Sequence, residues 1–141
     1  MKYKVRITVI VIVIMFITVC IANYYFIEDE NGYSKYEIDR AIKTANEFMV
    51  EIDNSESQND QHENKKWEWQ KMIYDVERSK RDAKKTLKRE QYENVIFLYT
   101  DVVSTVTYIT GETITQNLSG YGLWLGREED SKKWEVIGCG Y

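Results

Sequence analysis

Residues 94–109 read NVIFLYTDVVSTVTYI. The run from Val95 to Tyr99 is continuously apolar and rich in β-branched and aromatic side chains, the composition of a strand buried on both faces. A central strand of this kind needs neighbours, and the flanking sequence supplies them. Thr110-Gly111-Glu112 predicts a turn. Residues 113–117 (TITQN) extend a hairpin or form a loop. Residues 118–126 (LSGYGLWLG) read as a second strand, with Tyr121, Leu123 and Leu125 on one face and Gly122, Trp124 and Gly126 on the other. A charged turn over 127–133 leads to a last strand, WEVIGCGY, at 134–141.

Upstream, Asp75 is placed to cap a helix over 76–91. Val76, Ala83 and Leu87 give that helix only a thin apolar stripe, and its charged residues sum to +4. Most such faces are simply solvated. The functional alternative is contact with an anionic surface through Arg78, Arg81, Lys84, Lys85 and Lys88. Before it, 67–74 (WEWQKMIY) reads as one alternating strand with Trp67, Trp69, Lys71 and Ile73 on one side. Residues 54–66 (NSESQNDQHENKK) contain no apolar side chain and predict a mobile loop. The single histidine, His62, lies in it, so no zinc-type cluster is expected.

The clearest helix precedes this loop. Ser34 and Glu37 have capping-box spacing. Ile38, Ala41, Ile42, Ala45, Phe48, Met49 and Ile52 then recur at helical intervals and form one apolar stripe. Glu37, Asp39, Arg40, Lys43, Glu47 and Glu51 face away. The expected fold is therefore α+β. An N-terminal transmembrane or signal helix is followed by a long helix packed on a curved antiparallel sheet of about four strands, with a second, basic helix.

Residues 7–27, ITVIVIVIMFITVCIANYYFI, set the compartment. The run approaches the roughly 20 apolar residues needed to cross a bilayer core. Its Thr8 and Thr18 hydroxyls can bond back to the preceding helical turn. Lys2, Lys4 and Arg6 precede it, and Glu28, Asp29 and Glu30 follow. Basic residues stay cytoplasmic, so residues 28–141 are expected outside. Tyr24, Tyr25 and Phe26 fall where an interfacial aromatic belt would lie. The segment reads as an uncleaved signal anchor, as a lipoprotein signal cleaved before Cys20, the candidate lipidation site, or as an ordinary cleaved signal. The domain layout is 1–27 as anchor or signal and 28–141 as one extracytoplasmic domain, tethered through the short polar stretch 28–33.

Composition narrows the function. Of 141 residues, 114 follow the apolar segment, enough for one modest core. There the 16 remaining basic residues face 23 acidic ones, a charge of −7 that argues against nucleic-acid binding. Cys20 and Cys139 are far apart in sequence and predict no internal disulfide.

Four segments, YSKYEIDRAI at 33–42, IYDVERS at 73–79, ENVIFLYTDVVS at 93–104 and WEVIGCGY at 134–141, resemble a family of small exported lipoproteins from Firmicute bacteria. The resemblance covers most of 33–141. It implies a fold similar to the nuclear-transport-factor-2-like and cystatin-like cones, with a helix on a curved sheet, and it implies no activity. The chain departs from the family in its longer polar loop 54–66, and in Val19, where a lipobox has a small residue.

Trp67, Trp69, Tyr99, Asp101 and Tyr121 are candidates to line a pocket in such a cone, and Tyr108 joins Tyr99 and Tyr121 as a further aromatic. Asp101 is the one candidate acid. Its competing role is that of a hydrogen-bonded strand or bulge residue. No catalytic, metal or cofactor set is expected. The function that fits is a membrane-tethered extracytoplasmic binding or interaction module, with an envelope protein, a wall component or a small ligand as partner. The alternatives are a subunit of a membrane-spanning secretion or conjugation-type assembly, a cone-fold enzyme using Asp101, and an immunity protein against a secreted toxin.

Overall fold

The computed structural model describes residues 2–56, 64–86, 92–129 and 131–140, with the side chains of 2–6, 54–56, 64 and 83–86 left out. The elements in order are α1 (Lys2–Phe26), α2 (Lys35–Glu56), β1 (Asn64–Trp69), β2 (Ile73–Tyr74), α3 (Val76–Thr86), β3 (Asn94–Thr107), β4 (Thr113–Arg127) and β5 (Glu135–Gly140). Two compact units result, Met1–Asp39 and Arg40–Tyr141, and the boundary falls inside α2.

The first unit contains the apolar helix. Its segment Ile7–Phe26 has a mean hydropathy of 2.6 and no buried share. Length and composition are those of a membrane anchor or a signal segment. Thr18 donates to the Ile14 carbonyl at 2.9 Å, the back-bond that lets a hydroxyl sit in an apolar helix. The stretch expected as a polar tether is a closed turn instead. Asp29 Oδ1 accepts the N–H groups of Asn31 and Tyr33, each at 2.9 Å, and Gly32 adopts φ 81°. Glycine reaches that conformation without the Cβ penalty. The capping box forms as expected: Ser34 N–H donates to Glu37 Oε2 at 2.9 Å and Glu37 N–H to Ser34 Oγ at 3.3 Å. Tyr24 and Tyr25, which precede the turn, pack on Tyr36 with ring centroids 6.1 and 4.9 Å away. Tyr24 Oη also donates to Asp39 Oδ2 at 2.9 Å. These two rings are therefore engaged by the first turns of α2.

The second unit is the sheet with its helices. Within α2, Ala41, Ala45 and Met49 are fully buried while Lys43, Glu47 and Glu51 are exposed, as the stripe predicts. The sheet is antiparallel, in the order β1-β3-β4-β5, with β2 also on β3. β3 pairs with β4 along nearly its whole length. On its other edge it meets β1 from Val102 to Thr107 and β2 at Leu98 and Tyr99. Beyond β2 the edge is completed by the start of α3. Asp75 N–H donates to the Phe97 carbonyl at 3.2 Å, and Phe97 N–H donates to Ser79 Oγ at 2.8 Å. A serine hydroxyl thus takes the place of a strand and satisfies a buried amide. Asp75 caps α3 as expected, accepting Arg78 N–H at 2.8 Å.

Register assigns the faces. Ile96 pairs with Leu125 and Leu98 with Leu123, so these four side chains share one face, and all are fully buried. Phe97 pairs with Trp124 and lies with Val95 on the opposite face, also fully buried. Burial on both faces explains the unbroken apolar run at 95–98. Each such side chain contributes about 1.5–3 kcal/mol. Gly122 is there because the Phe97 ring fills its space: a Cβ would lie 2.6 Å from that ring.

Several sequence expectations are corrected. The single strand over 67–74 is two strands, because residues 70–72 span only two positions of β3. The extra residue reverses the alternation, so Met72 is buried and Ile73 is 44% exposed. The expected loop 54–66 is shorter at both ends. Residues 54–56 continue α2 and residues 64–66 begin β1; 57–63, with His62, lie outside the described residues. Residues 113–117 are strand, not loop. α3 is described to Thr86, and 87–91 lie outside the described residues.

Gly122→Ala should destabilise the protein by about 1–3 kcal/mol through overpacking against Phe97. Ser79→Ala should cost about the same by leaving the Phe97 amide without its acceptor. Urea denaturation followed by Trp fluorescence measures both, and an unchanged midpoint for Ser79→Ala would show that the edge bond contributes nothing.

Candidate functional site

The expected pocket residues do not converge on one site. Trp67 pairs with Ser104, Trp69 with Val102 and Tyr121 with Thr100, which puts these three aromatics on the Leu98–Leu123 face. Tyr99 pairs with Gly122 on the opposite face. Asp101 has the same parity as Tyr99, so two of the five candidates lie on the other side of the sheet. The period of a strand decides this. Residues 99 and 101 cannot share a face with 100 and 102.

What the first face carries is an aromatic row. Trp67 and Trp69 stack with centroids 5.7 Å apart and an interplanar angle of 12°. Trp69 meets Tyr121 at 5.6 Å. Lys65 Nζ lies 4.4 Å from the Trp67 ring centroid, within cation–π range. All three rings are half-buried. The Trp69 indole N–H is buried and meets no acceptor among the described residues. Next to the row, Ser104, Val106, Tyr108, Ile114 and Gln116 line an open groove of about 140 Å³. The face therefore changes along β3 and β4. It is sealed at Leu98 and Leu123, aromatic at Trp69 and Tyr121, and open and mixed in polarity at Gln116. A surface of this kind suits a ligand with an apolar face and polar edges. The sequence offers Tyr108 only as one tyrosine among three, because the groove around it depends on the hairpin register.

Asp101 has a structural role in this arrangement. Between the Thr100–Tyr121 and Val102–Leu118 pairs, β4 has two residues, Ser119 and Gly120, opposite Asp101 alone. Gly120 takes φ 74°, and its N–H donates to Asp101 Oδ1 at 3.0 Å. The carboxylate is exposed and holds the bulge. This is the bulge role weighed against that of an acid in the sequence analysis.

On the opposite face, the basic helix is partly committed to the fold. The Arg78 guanidinium carbon lies 3.8 Å from the Phe97 ring centroid and 5.1 Å from that of Trp124. Its Nε donates to Asp82 Oδ2 at 3.3 Å, an atom that also accepts Trp124 Nε1–H at 3.2 Å. Arg81 Nε donates to Asp82 Oδ1 at 3.2 Å. Of the five expected anionic-surface contacts, Arg78 is therefore packed and paired, and Arg81 is exposed but paired with Asp82. Lys84 and Lys85 are on α3 with side chains outside the described residues, and Lys88 is outside them altogether. Burial works against the Asp82 charge. The hydrogen bonds from Trp124, Arg81 and Arg78 outweigh it and hold the carboxyl below its ordinary value.

Cys20 and Cys139 are both exposed free thiols. Among the described residues no three His, Cys, Asp or Glu side chains are grouped to hold a metal ion. Comparison with protein-family models, curated proteins and solved structures found no match to this chain.

Two outcomes follow from these contacts. Asp101→Ala should destabilise by about 1 kcal/mol through loss of the bulge bond, and Asp101→Asn, which keeps an acceptor oxygen, should recover most of it in thermal melts. The Asp82 contribution is present above its unfolded-state value and is lost as the pH falls through its lowered folded value. Asp82→Asn should therefore be less stable than the parent at neutral pH. The gap should close in acid, measured as urea midpoints from pH 7 down to about pH 2.

Proposed function

We propose that this chain is a membrane-tethered binding module whose second unit works outside the cytoplasmic membrane and performs no catalysis. The observation that carries the reading is the half-open aromatic row beside the Ser104–Gln116 groove. Trp67, Trp69 and Tyr108 offer flat apolar surface, and Ser104 and Gln116 offer hydrogen-bonding groups. Asp101, the only acid expected to do chemistry, is engaged in holding the bulge at Gly120.

The placement is supported by the charge asymmetry around α1. Lys2, Lys4 and Arg6 lie before the apolar segment, and Glu28, Asp29 and Glu30 after it. The resemblance to small exported lipoproteins agrees with this placement. Val19 before Cys20 favours an uncleaved anchor over a lipidated one. The partner class that suits the surface is a wall component or an extended segment of another envelope protein, docked along the groove.

Membrane vesicles of known sidedness test the topology. Protease added on the outer side should remove the second unit, and intact-mass analysis should find residues 1–19 still attached. A photo-crosslinking residue in place of Tyr108, in the full chain in its membrane, tests the surface. Trp67→Ala should weaken capture about tenfold or more, as loss of an aromatic anchor does. A cytoplasmic second unit, or capture indifferent to Trp67, would overturn the proposal.

A further inference from the structure

The outer edge of β4 carries its own partner code. β5 pairs only with Gly122–Gly126 of β4. Among the described residues, no strand pairs with the outer edge of 113–119, TITQNLS. Every residue of that stretch is exposed except half-buried Leu118. It has no charge and no proline, the devices by which edge strands usually avoid pairing with another chain.

The bond pattern fixes which groups point outward. Tyr108 N–H donates to the Glu112 carbonyl at 2.8 Å, so that pair is hydrogen-bonded and the next, Thr107–Thr113, is not. The threonine hydroxyls agree, since the close side chains belong to non-hydrogen-bonded pairs: Thr107 and Thr113 lie 3.2 Å apart, Thr105 and Thr115 3.4 Å. Ile114, Gln116 and Leu118 therefore direct their backbone groups to β3. Thr113, Thr115 and Asn117 direct theirs outward.

We infer that the 113–119 edge of β4 pairs with the same edge of a second copy, antiparallel, about a two-fold axis at Gln116. In that register Thr115 exchanges both backbone bonds with Asn117 of the other copy, and Thr113 lies opposite Ser119, where the bulge begins. Thr115 and Asn117 are both residues whose groups point outward. Ile114 then lies opposite Leu118, an apolar pair on the groove side of the sheet. The polar pairs Thr115–Asn117 fall on the other side. Moving the axis to Thr115 would set Ile114 against Gln116, so the pattern selects one register. No like charges meet. The sheet becomes continuous across the axis, and the two Gln116-lined grooves abut. The interface is small, so the association is weak and concentration-dependent.

The test uses the full chain in detergent micelles and in lipid nanodiscs, with Cys20→Ser and Cys139→Ser as background. The two copies of residue 116 form a non-hydrogen-bonded pair with Cα atoms about 4.5 Å apart, within disulfide reach. Gln116→Cys should form a covalent dimer under mild oxidation at least about tenfold faster than Ile109→Cys at the hairpin tip, because a held pair meets at high effective concentration. Thr115→Lys with Asn117→Lys sets like charges face to face and should abolish this advantage. Thr115→Glu with Asn117→Lys sets opposite charges face to face and should restore it. All these side chains are exposed, so the fold is retained, and a thermal melt checks it. Three results would overturn the inference: equal rates at 116 and 109, an advantage that survives the double lysine variant (as a dimer held by α1 would show), or Gln116→Cys joining to a different protein.

Discussion

The backbone of Phe97 is the point on which the second unit closes. This residue sits in the centre of the sheet, where an unpaired amide or carbonyl would cost about 1–3 kcal/mol each. β1 and β2 have ended before reaching it. Ser79 and Asp75 at the start of α3 supply the missing bonds. That requirement fixes where α3 sits, and α3 in turn brings Arg78 over the Phe97 ring and Asp82 to the Trp124 indole. The charges of the helix thereby become part of the packing. Gly122 completes the arrangement by leaving room for the ring.

The second organising feature is interruption. Three strand pairs have a residue too many: between Trp69 and Ile73, at Ser119–Gly120 and at Ile137. Each insertion bends a strand and turns its following side chains to the other face. The first buries Met72, and the second leaves Tyr121 beside Trp69. The aromatic row exists because the sheet does not continue in strict alternation. Asp101 stabilises that change of register, and so contributes to the aromatic face from its opposite side.

The legible part of the chain was the part governed by local rules. The capping box at Ser34 and Glu37, the cap at Asp75, the stripe through Ala41, Ala45 and Met49 and the buried run 95–98 follow from side-chain chemistry and period alone. The α+β class followed from their order. The candidate site was legible only in part. Trp67, Trp69 and Tyr121 share a face, but Tyr99 and Asp101, which the sequence groups with them, lie across the sheet. Faces depend on inter-strand register, and a bulge has no local signature beyond a glycine such as Gly120. Ser79 is not legible, because a serine early in a charged helix looks like any solvated residue until its strand partner is known. Asp82 had a signal, its four-residue spacing from Arg78, but its bond to Trp124 joins positions far apart in sequence.

The order of the strands also governs how the chain is made. β3 and β4 are consecutive and close through the short turn at 108–112, so their pairing is local and fast. They are also late in the sequence. During synthesis α2, β1 and β2 are made before any of β3 exists. The apolar stripe of α2 and the two tryptophans of β1 therefore spend the first part of the chain's life without the sheet that buries their neighbours. The β3–β4 hairpin that follows them is the template on which β1, β2 and α3 assemble. Nascent chains halted before about residue 126 should thus be the aggregation-prone species, and those a holdase would recognise.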